Sequence, residues 1–112
     1  MEIISEKIDG IGVLRLSGRM DATNAEEFAD AGKKLVAEGV ARIIADFTDL
    51  EYISSAGLRS ILLLAKVAHV KKVTIAFSGM QAMVADIFKL SGFLSILVTY
   101  PDFDAALAAM KA

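Results

Sequence analysis

The chain has 112 residues, of which 55% are apolar and 23% charged, and its 12 Lys and Arg against 14 Asp and Glu give a net charge of −2. This is the size of one domain with enough apolar material for a core, which excludes intrinsic disorder as the overall state. Because there is no cysteine, disulfide scaffolds, thiolate metal sites and cysteine nucleophiles are also excluded.

The longest stretch without a charged residue is the thirteen residues from Val73 to Ala85, short of the roughly twenty that a spanning helix needs. The first residues include Glu2, Glu6 and Asp9 rather than a basic leader. We therefore expect a cytoplasmic protein without membrane insertion. Basic residues are scattered apart from two Lys-Lys pairs at 33–34 and 71–72, so direct nucleic-acid binding is not expected.

The first elements are two short runs of alternating apolar residues, Ile3 to Ile8 and Ile11 to Leu16, that meet at Asp9-Gly10. This pattern predicts an antiparallel hairpin. A helix of about fifteen residues is expected next. Thr23 and Glu26 have the spacing of a capping box at its start, and Gly39 is expected to end it.

The run Arg42 to Phe47 is almost entirely apolar, which predicts a central strand buried on both faces. We expect a turn through residues 48–50 and then a second helix from about Ser55 to Ala68. The apolar stripe predicted for the buried side of that helix comprises Leu58, Ile61, Leu62, Ala65 and Ala68.

Further elements are predicted at Lys72 to Phe77 (strand), Met80 to Leu90 (helix) and Ile96 to Val98 (strand), with a closing helix after Pro101-Asp102. The third helix is expected to turn one apolar face inward, formed by Met83, Val84, Ile87 and Phe88. The order β-β-α-β-α-β-α-β-α predicts a single α/β domain over residues 1–112. Its mixed sheet would have four to five strands, parallel after the first hairpin, packed with about four helices.

The most informative segment runs from the end of the central strand to the start of the second helix, and contains Ser54 and Ser55. A serine at a helix start either caps the helix, contributing about 1 kcal/mol, or presents a hydroxyl where the helix dipole favours an added phosphate. Only one of two adjacent serines can be the N-cap. The pair therefore leaves one hydroxyl without a structural role, and the sequence leaves open which one.

This segment resembles the signature of the STAS domain family. In that signature an apolar strand ending in Asp or Asn is followed by a Leu or Val turn position, an aromatic and an aliphatic residue, and then Asp-Ser-Ser-Gly-Leu or Asp-Ser-Thr-Gly-Leu. The matching residues here are Asp46, Leu50, Tyr52, Ile53 and Ser54-Ser55-Ala56-Gly57-Leu58. Residues 17–21 (Ser-Gly-Arg-Met-Asp) and 88–93 (Phe-Lys-Leu-Ser-Gly-Phe) resemble two further family motifs. Ser54 stands where the family has Asp, and Ala56 stands where it has Ser or Thr.

The resemblance implies an anti-sigma factor antagonist. In this family the unphosphorylated protein binds an anti-sigma factor with serine kinase activity and so releases the sigma factor, and phosphorylation abolishes binding. The acceptor position falls on Ser55, with Ser54 as the competing acceptor. The partner-binding surface implied by the resemblance and by helical spacing comprises Asp21, Asp46, Ser54, Ala56, Gly57, Arg59 and Leu63.

Three of these residues also have local interpretations. Arg59, four residues after Ser55 on the same helix face, is either a partner for the phosphate or a solvated surface residue. Leu63 lies off the predicted buried stripe and is either a partner contact or an isolated exposed leucine. Asp21 is either an N-cap of the first helix or a partner contact, and because Thr23 and Glu26 are expected to cap that helix, Asp21 would be free to bind a partner.

We do not expect an enzyme, a metal site or a cofactor. The only histidine, His69, lies fourteen residues after Ser55, about 21 Å away along one helix, too far for a serine–histidine pair. No phosphate-binding glycine loop is present. Within the family, a stressosome-type scaffold element and the adaptor subunit of a lipid ABC transporter remain as alternative functions, and the protein is expected to be a monomer or a weak dimer.

Overall fold

The computed structural model describes residues 1–112 as five strands, four α-helices and one 3₁₀ turn. The strands are β1 (Glu2–Ile8), β2 (Ile11–Met20), β3 (Arg42–Ile53), β4 (Thr74–Ser78) and β5 (Val98–Tyr100). The helices are α1 (Ala25–Ala37), α2 (Ser55–Val70), α3 (Ala82–Leu90) and α4 (Phe103–Lys111), and the 3₁₀ turn spans Phe93–Ser95. The predicted order of strands and helices is confirmed.

The five strands form one sheet in the order β1-β2-β3-β4-β5. β1 and β2 are antiparallel, and each later pair is parallel. The hairpin turns at Asp9 (φ 51°) and Gly10 (φ 80°), both left-handed, as a two-residue turn that matches the twist of the strands requires. The predicted mixed sheet, with β3 at its centre, is therefore confirmed.

Helices cover both faces of the sheet, and alternate side chains of β3 point to opposite faces. Ile43, Ala45 and Phe47 belong to the larger core, which α1, α2 and α3 cover. Ile44 belongs to a smaller core beneath α4. Because both faces are covered, the central strand is apolar along most of its first half, as its sequence indicated.

Phe47 lies at the centre of the larger core and is fully buried. Its ring makes edge-on contacts with Phe28, Phe77 and Phe88 at centroid separations of 6.1, 5.5 and 6.2 Å. These rings come from α1, β4 and α3, so one side chain joins three elements to the central strand.

The turn predicted at residues 48–50 is wrong: β3 continues through these residues to Ile53. The pairing of β2 with β3 changes register between Arg15 and Ser17 and again between Gly18 and Arg19. Such irregularities keep two strands paired while they bend. Leu50 and Ile53 thereby remain buried in the larger core, and the strand ends at the helix that carries the two serines.

Smaller differences concern helix faces and element ends. In α2, Leu64 is fully buried, whereas Leu58, Leu62 and Ala65 of the predicted stripe are only partly buried. Met83, predicted to face inward from α3, is 60% exposed. β4 begins two residues later than predicted, α3 begins at Ala82, and β5 is shifted to Val98–Tyr100. None of the helices has both the length and the apolar character needed to cross a bilayer.

The Phe47→Ala variant should lower the free energy of unfolding by about 3–5 kcal/mol, because it removes a fully buried ring and leaves a cavity among three others. Leu90, which is 88% exposed, provides the control, since Leu90→Ala should change the free energy by less than about 0.5 kcal/mol. Urea denaturation measures both values. Equal effects of the two substitutions would contradict the assignment of Phe47 to the centre of the core.

Candidate functional site

The start of α2 is capped by Ser54. This residue has extended backbone angles (φ −90°, ψ 175°), and its Oγ accepts a hydrogen bond from the Gly57 amide at 3.2 Å. Its own amide donates to the carbonyl oxygen of Met20, at the end of β2, over 2.9 Å. Ser54 therefore both caps the helix and holds the helix start against the neighbouring strand.

Ser55 is the first helical residue and is exposed. No hydrogen bond within the chain involves its hydroxyl. The Oγ of its neighbour Ser54 accepts a hydrogen bond from the Gly57 amide. The amides of the first turn, which have no partner within the helix, lie beside Ser55. The ambiguity left by the sequence is thus resolved: Ser54 has the capping role, and Ser55 is the serine with an accessible hydroxyl.

Gly57 allows the first turn of α2 to lie directly on the ends of two strands. A Cβ atom at this position would be 2.6 Å from Cγ1 of Ile53 and 3.0 Å from the sulfur of Met20. Both of those side chains are fully buried. Any residue larger than glycine would therefore require the side chains of Met20 and Ile53, or the helix start itself, to shift.

A groove of about 330 Å³ lies between the start of α1 and the first half of α2, and Ala56, the residue after Ser55, is part of its lining. Its lining consists of Ala22, Ala25, Glu26, Ala29, Ala56, Arg59, Ser60 and Leu63. Ser60 is buried, and its hydroxyl donates to the carbonyl oxygen of Ala25 at 2.6 Å. This bond fixes the spacing of the two helices beneath the groove.

The sides of the groove include three side chains of different character. Leu63 is 46% exposed, as its helical phase predicted. Arg59 is exposed and forms no salt bridge within the chain. Glu26 is exposed in the first turn of α1. The groove therefore offers an apolar contact, a cation and an anion within one small surface.

Sequence reasoning overlooked Ser60 and the contribution of α1 to this surface. Ala25 and Ala29 are four residues apart, which places them on one face of α1, and Ala22 lies in the turn before that helix. Such a face of small residues permits close approach of a second helix, and that signal was available in the sequence.

Asp21 is engaged within its own loop, and the predicted capping box is wrong. The N-cap of α1 is Asn24, whose side chain makes no capping bond to the helix. Oδ1 of Asp21 instead accepts hydrogen bonds from the hydroxyl and the amide of Thr23, at 2.5 and 2.9 Å. These two bonds hold the pKa of the Asp21 carboxyl below its ordinary range, because they stabilise the charged form.

The side chain of Asn24 makes two further hydrogen bonds across the same loop. Its Oδ1 accepts from the Asp21 amide at 2.9 Å, and its Nδ2 donates to the carbonyl oxygen of Arg19 at 3.0 Å. Asp21 lies one residue after Met20, which binds the Ser54 amide. Asp21 is thus near the helix start, and its carboxylate already has hydrogen-bond partners.

The structure does not place Asp46 beside Ser55. Asp46 alternates with Ala45 and Phe47, so its side chain points to the sheet face beneath α4. It is 7% exposed. Its carboxylate accepts hydrogen bonds from Thr48 Oγ1 at 2.7 Å and Ser78 Oγ at 3.1 Å, and it pairs with Arg15 at 3.3 Å.

Asp46 is therefore part of a buried polar network on the face opposite to α2. Arg15, which also pairs with Glu6 at 3.0 Å and lies 4.3 Å from the centre of the Phe103 ring, connects that network to β1 and α4. No group of three or more His, Asp or Glu side chains in the chain is arranged to hold a metal ion.

Comparison with known proteins agrees with the family resemblance found in the sequence. The family model of the STAS domain matches residues 2–106. The chain is 36% identical over 111 residues to BtrV, a candidate anti-sigma factor antagonist of Bordetella bronchiseptica, with 99% of this chain and 96% of BtrV aligned.

Solved structures share the fold at lower identity. An anti-sigma factor antagonist from Mycobacterium paratuberculosis superposes with a TM-score of 0.89 at 22% identity, covering 99% of this chain and 94% of that one. SpoIIAA of Bacillus in its phosphorylated form superposes with a TM-score of 0.74 at 17% identity, covering 96% of this chain and 99% of that one. These two likenesses show the fold alone.

Ser54→Ala should lower the free energy of unfolding by about 1 kcal/mol, because it removes the side-chain cap of α2. Ser55→Ala, one residue away, should change it by less than about 0.5 kcal/mol, because the Ser55 side chain is exposed and unbonded. Urea denaturation compares the two variants. A larger loss for Ser55→Ala than for Ser54→Ala would reverse the assignment of the two serines.

Proposed function

The chain belongs to the STAS domain family, and from that premise we propose that it is an anti-sigma factor antagonist whose partner binding is controlled by phosphorylation of Ser55. The unphosphorylated form binds an anti-sigma factor with serine kinase activity, and the phosphorylated form does not. The observation that carries the proposal is the accessible, unbonded hydroxyl of Ser55 at the first position of α2.

The positions of the two serines at the helix start favour Ser55 over Ser54 as the phosphate acceptor. Its hydroxyl is exposed, whereas the Oγ of Ser54 accepts the capping bond from Gly57 and Ser54 is only partly exposed. A phosphate on Ser54 would replace that cap. A phosphate on Ser55 would lie at the positive end of the helix dipole, where an anion is stabilised, so the fold tolerates the modification.

The groove beside Ser55 provides the docking surface in this proposal. Leu63 and the alanines of the groove contribute apolar contact, while Glu26 and Arg59 provide charges of opposite sign at its sides. Ala56, the residue after Ser55, lies in the lining of the groove. A partner seated in the groove therefore lies close to the acceptor hydroxyl, as a kinase partner must.

Phosphorylation adds about −1.5 to −2 charges at neutral pH. Beneath a bound partner this charge must lose its water, which costs several kcal/mol unless the partner supplies a matching cation. Arg59, four residues from Ser55 on the same helix face, is available to pair with the phosphate and is then withdrawn from the partner. Both effects weaken the complex while the core is unchanged.

Asp46 is not part of this proposal, because its side chain lies on the opposite face of the sheet. Asp21 contributes through the loop that it stabilises next to Met20. Of the two departures from the motif, Ala56 lies in the lining of the docking groove, and Ser54 caps α2.

Treatment with the cognate anti-sigma kinase and ATP should place phosphate on Ser55 and weaken binding of that partner by at least about 100-fold, or about 2.7 kcal/mol. Mass spectrometry locates the phosphate, and calorimetry measures the affinity before and after treatment. Ser54→Ala is the matched control and should still respond, whereas Ser55→Ala should bind with or without kinase treatment.

Loss of partner binding by Ser55→Ala upon kinase treatment would contradict the proposal, as would phosphate found mainly on Ser54. Full modification of Ser55 with unchanged affinity would instead support a constitutive adaptor of the kind found in lipid ABC transporters, or a stressosome-type scaffold.

Leu63→Glu should weaken partner binding by about 10-fold or more, because it places a charge in the apolar part of the groove. Met83→Glu is the matched control: Met83 is 60% exposed against 46% for Leu63, and it lies on α3, outside the groove. Titration of each variant with the unmodified partner gives the comparison. Equal affinities of the two variants and the wild type would remove Leu63 from the docking surface.

A further inference from the structure

A second cleft lies at the opposite end of α2 from Ser55. It has a volume of about 560 Å³, within the range of small-molecule sites. The cleft is open to solvent between the last turns of α2, the strand β4 and the start of β5. Its lining consists of Leu62, Ala65, Lys66, His69, Val70, Val73, Ile75, Ile96, Leu97 and Val98.

The cleft exists because the helices leave part of the sheet uncovered. β5 is only three residues long, and the segment before it is a short 3₁₀ turn rather than a helix. Apolar side chains are consequently open to solvent here: Val70 is 74%, Ile96 65% and Val98 49% exposed. Contiguous apolar surface of this kind marks a binding site more often than isolated exposed residues do.

The only charged or ionisable side chains in the lining are Lys66 and His69. They are three residues apart on α2 and so lie on one side of the helix. Both are exposed, and neither forms a salt bridge within the chain. No Asp or Glu lines the cleft. A ligand that fits it would therefore combine an anionic group with an apolar chain or ring.

We propose that this cleft binds an amphiphile that has an alkyl chain and a single carboxylate head group. The chain lies along Leu62, Ile75 and Leu97, and the carboxylate is held by Lys66 and His69. The span of α2 from Leu62 to Val70 is about 12 Å, which suits medium-chain carboxylates. Neither phosphorylation nor the partner groove takes part in this site.

Calorimetric titration of the full chain with carboxylates from hexanoate to dodecanoate, each below its micelle concentration, tests the proposal. Each added CH₂ should tighten binding about three- to fourfold until the cleft is filled. Decanol, which matches decanoate in length but carries no charge, should bind at least about 10-fold more weakly. Amide shifts in NMR spectra should map to residues 62–75 and 96–98.

Ile96→Asp should weaken decanoate binding at least about 10-fold, because it places a like charge in the cleft. Leu90→Asp is the matched control, since Leu90 is an exposed aliphatic residue outside the lining, and it should leave the affinity unchanged. Both positions are exposed, so thermal unfolding should show that both variants fold.

Absence of decanoate binding, or an equal loss in the Leu90→Asp variant, would overturn the site. Equal binding of decanol and decanoate would overturn the assignment of Lys66 and His69 to a carboxylate. These results are independent of kinase treatment, so failure here leaves the proposal for Ser55 untouched.

Discussion

The close contact between the first turn of α2 and the ends of β2 and β3 determines the geometry of the site. Gly57 has no side chain between the helix and the buried Met20 and Ile53. The Ser54 amide binds the Met20 carbonyl oxygen in the same place, and the Ser54 hydroxyl caps the helix. Because these contacts fix the buried side of the turn, Ser55 lies on its solvent-exposed side.

The sheet separates this site from the other polar cluster of the molecule. Arg15, Asp46 and Ser78 occupy equivalent positions on three adjacent strands, since Asp46 pairs in register with both of the others. Their side chains lie beneath α4, where a buried carboxylate needs such partners. That cluster stabilises the sheet, whereas the exposed groove between α1 and α2 provides a surface for another protein. A phosphate on Ser55 would therefore lie on the face of the sheet opposite to this cluster.

The sequence predicted most of the architecture because its turn and helix-cap residues are strong local signals. The Asp9-Gly10 turn, the end of α1 before Gly39 (φ 89°) and the Asp102 cap of α4 all appear where local chemistry placed them. The errors arise where tertiary contacts decide. Nothing local shows that β3 continues past Phe47, because its register shifts depend on pairing with β2.

The same limitation explains which residues of the site the sequence predicted and which it did not. Leu63 was found by helical phase alone, because α2 is regular. Asp46 was predicted to belong to the same surface as Ser55, but its side chain lies on the other face of the sheet. A motif gives a residue's position in the chain and not the side of the sheet to which it points. Thr23 had the right spacing for a cap, but its amide and hydroxyl bind Asp21 instead. Ser54 and Ser55 both suit a helix start, and only the folded structure, in which Ser54 accepts the bond from Gly57, distinguishes them.

A phosphate on Ser55 should change one surface and leave the fold intact. Amide NMR spectra of the unmodified and the Ser55-phosphorylated protein test this directly. Shift changes should be confined to the first turns of α1 and α2 and the loop at Asp21, with amides of β1 and α4 unchanged. Changes spread through the core around Phe47, or a collapse of spectral dispersion, would contradict it.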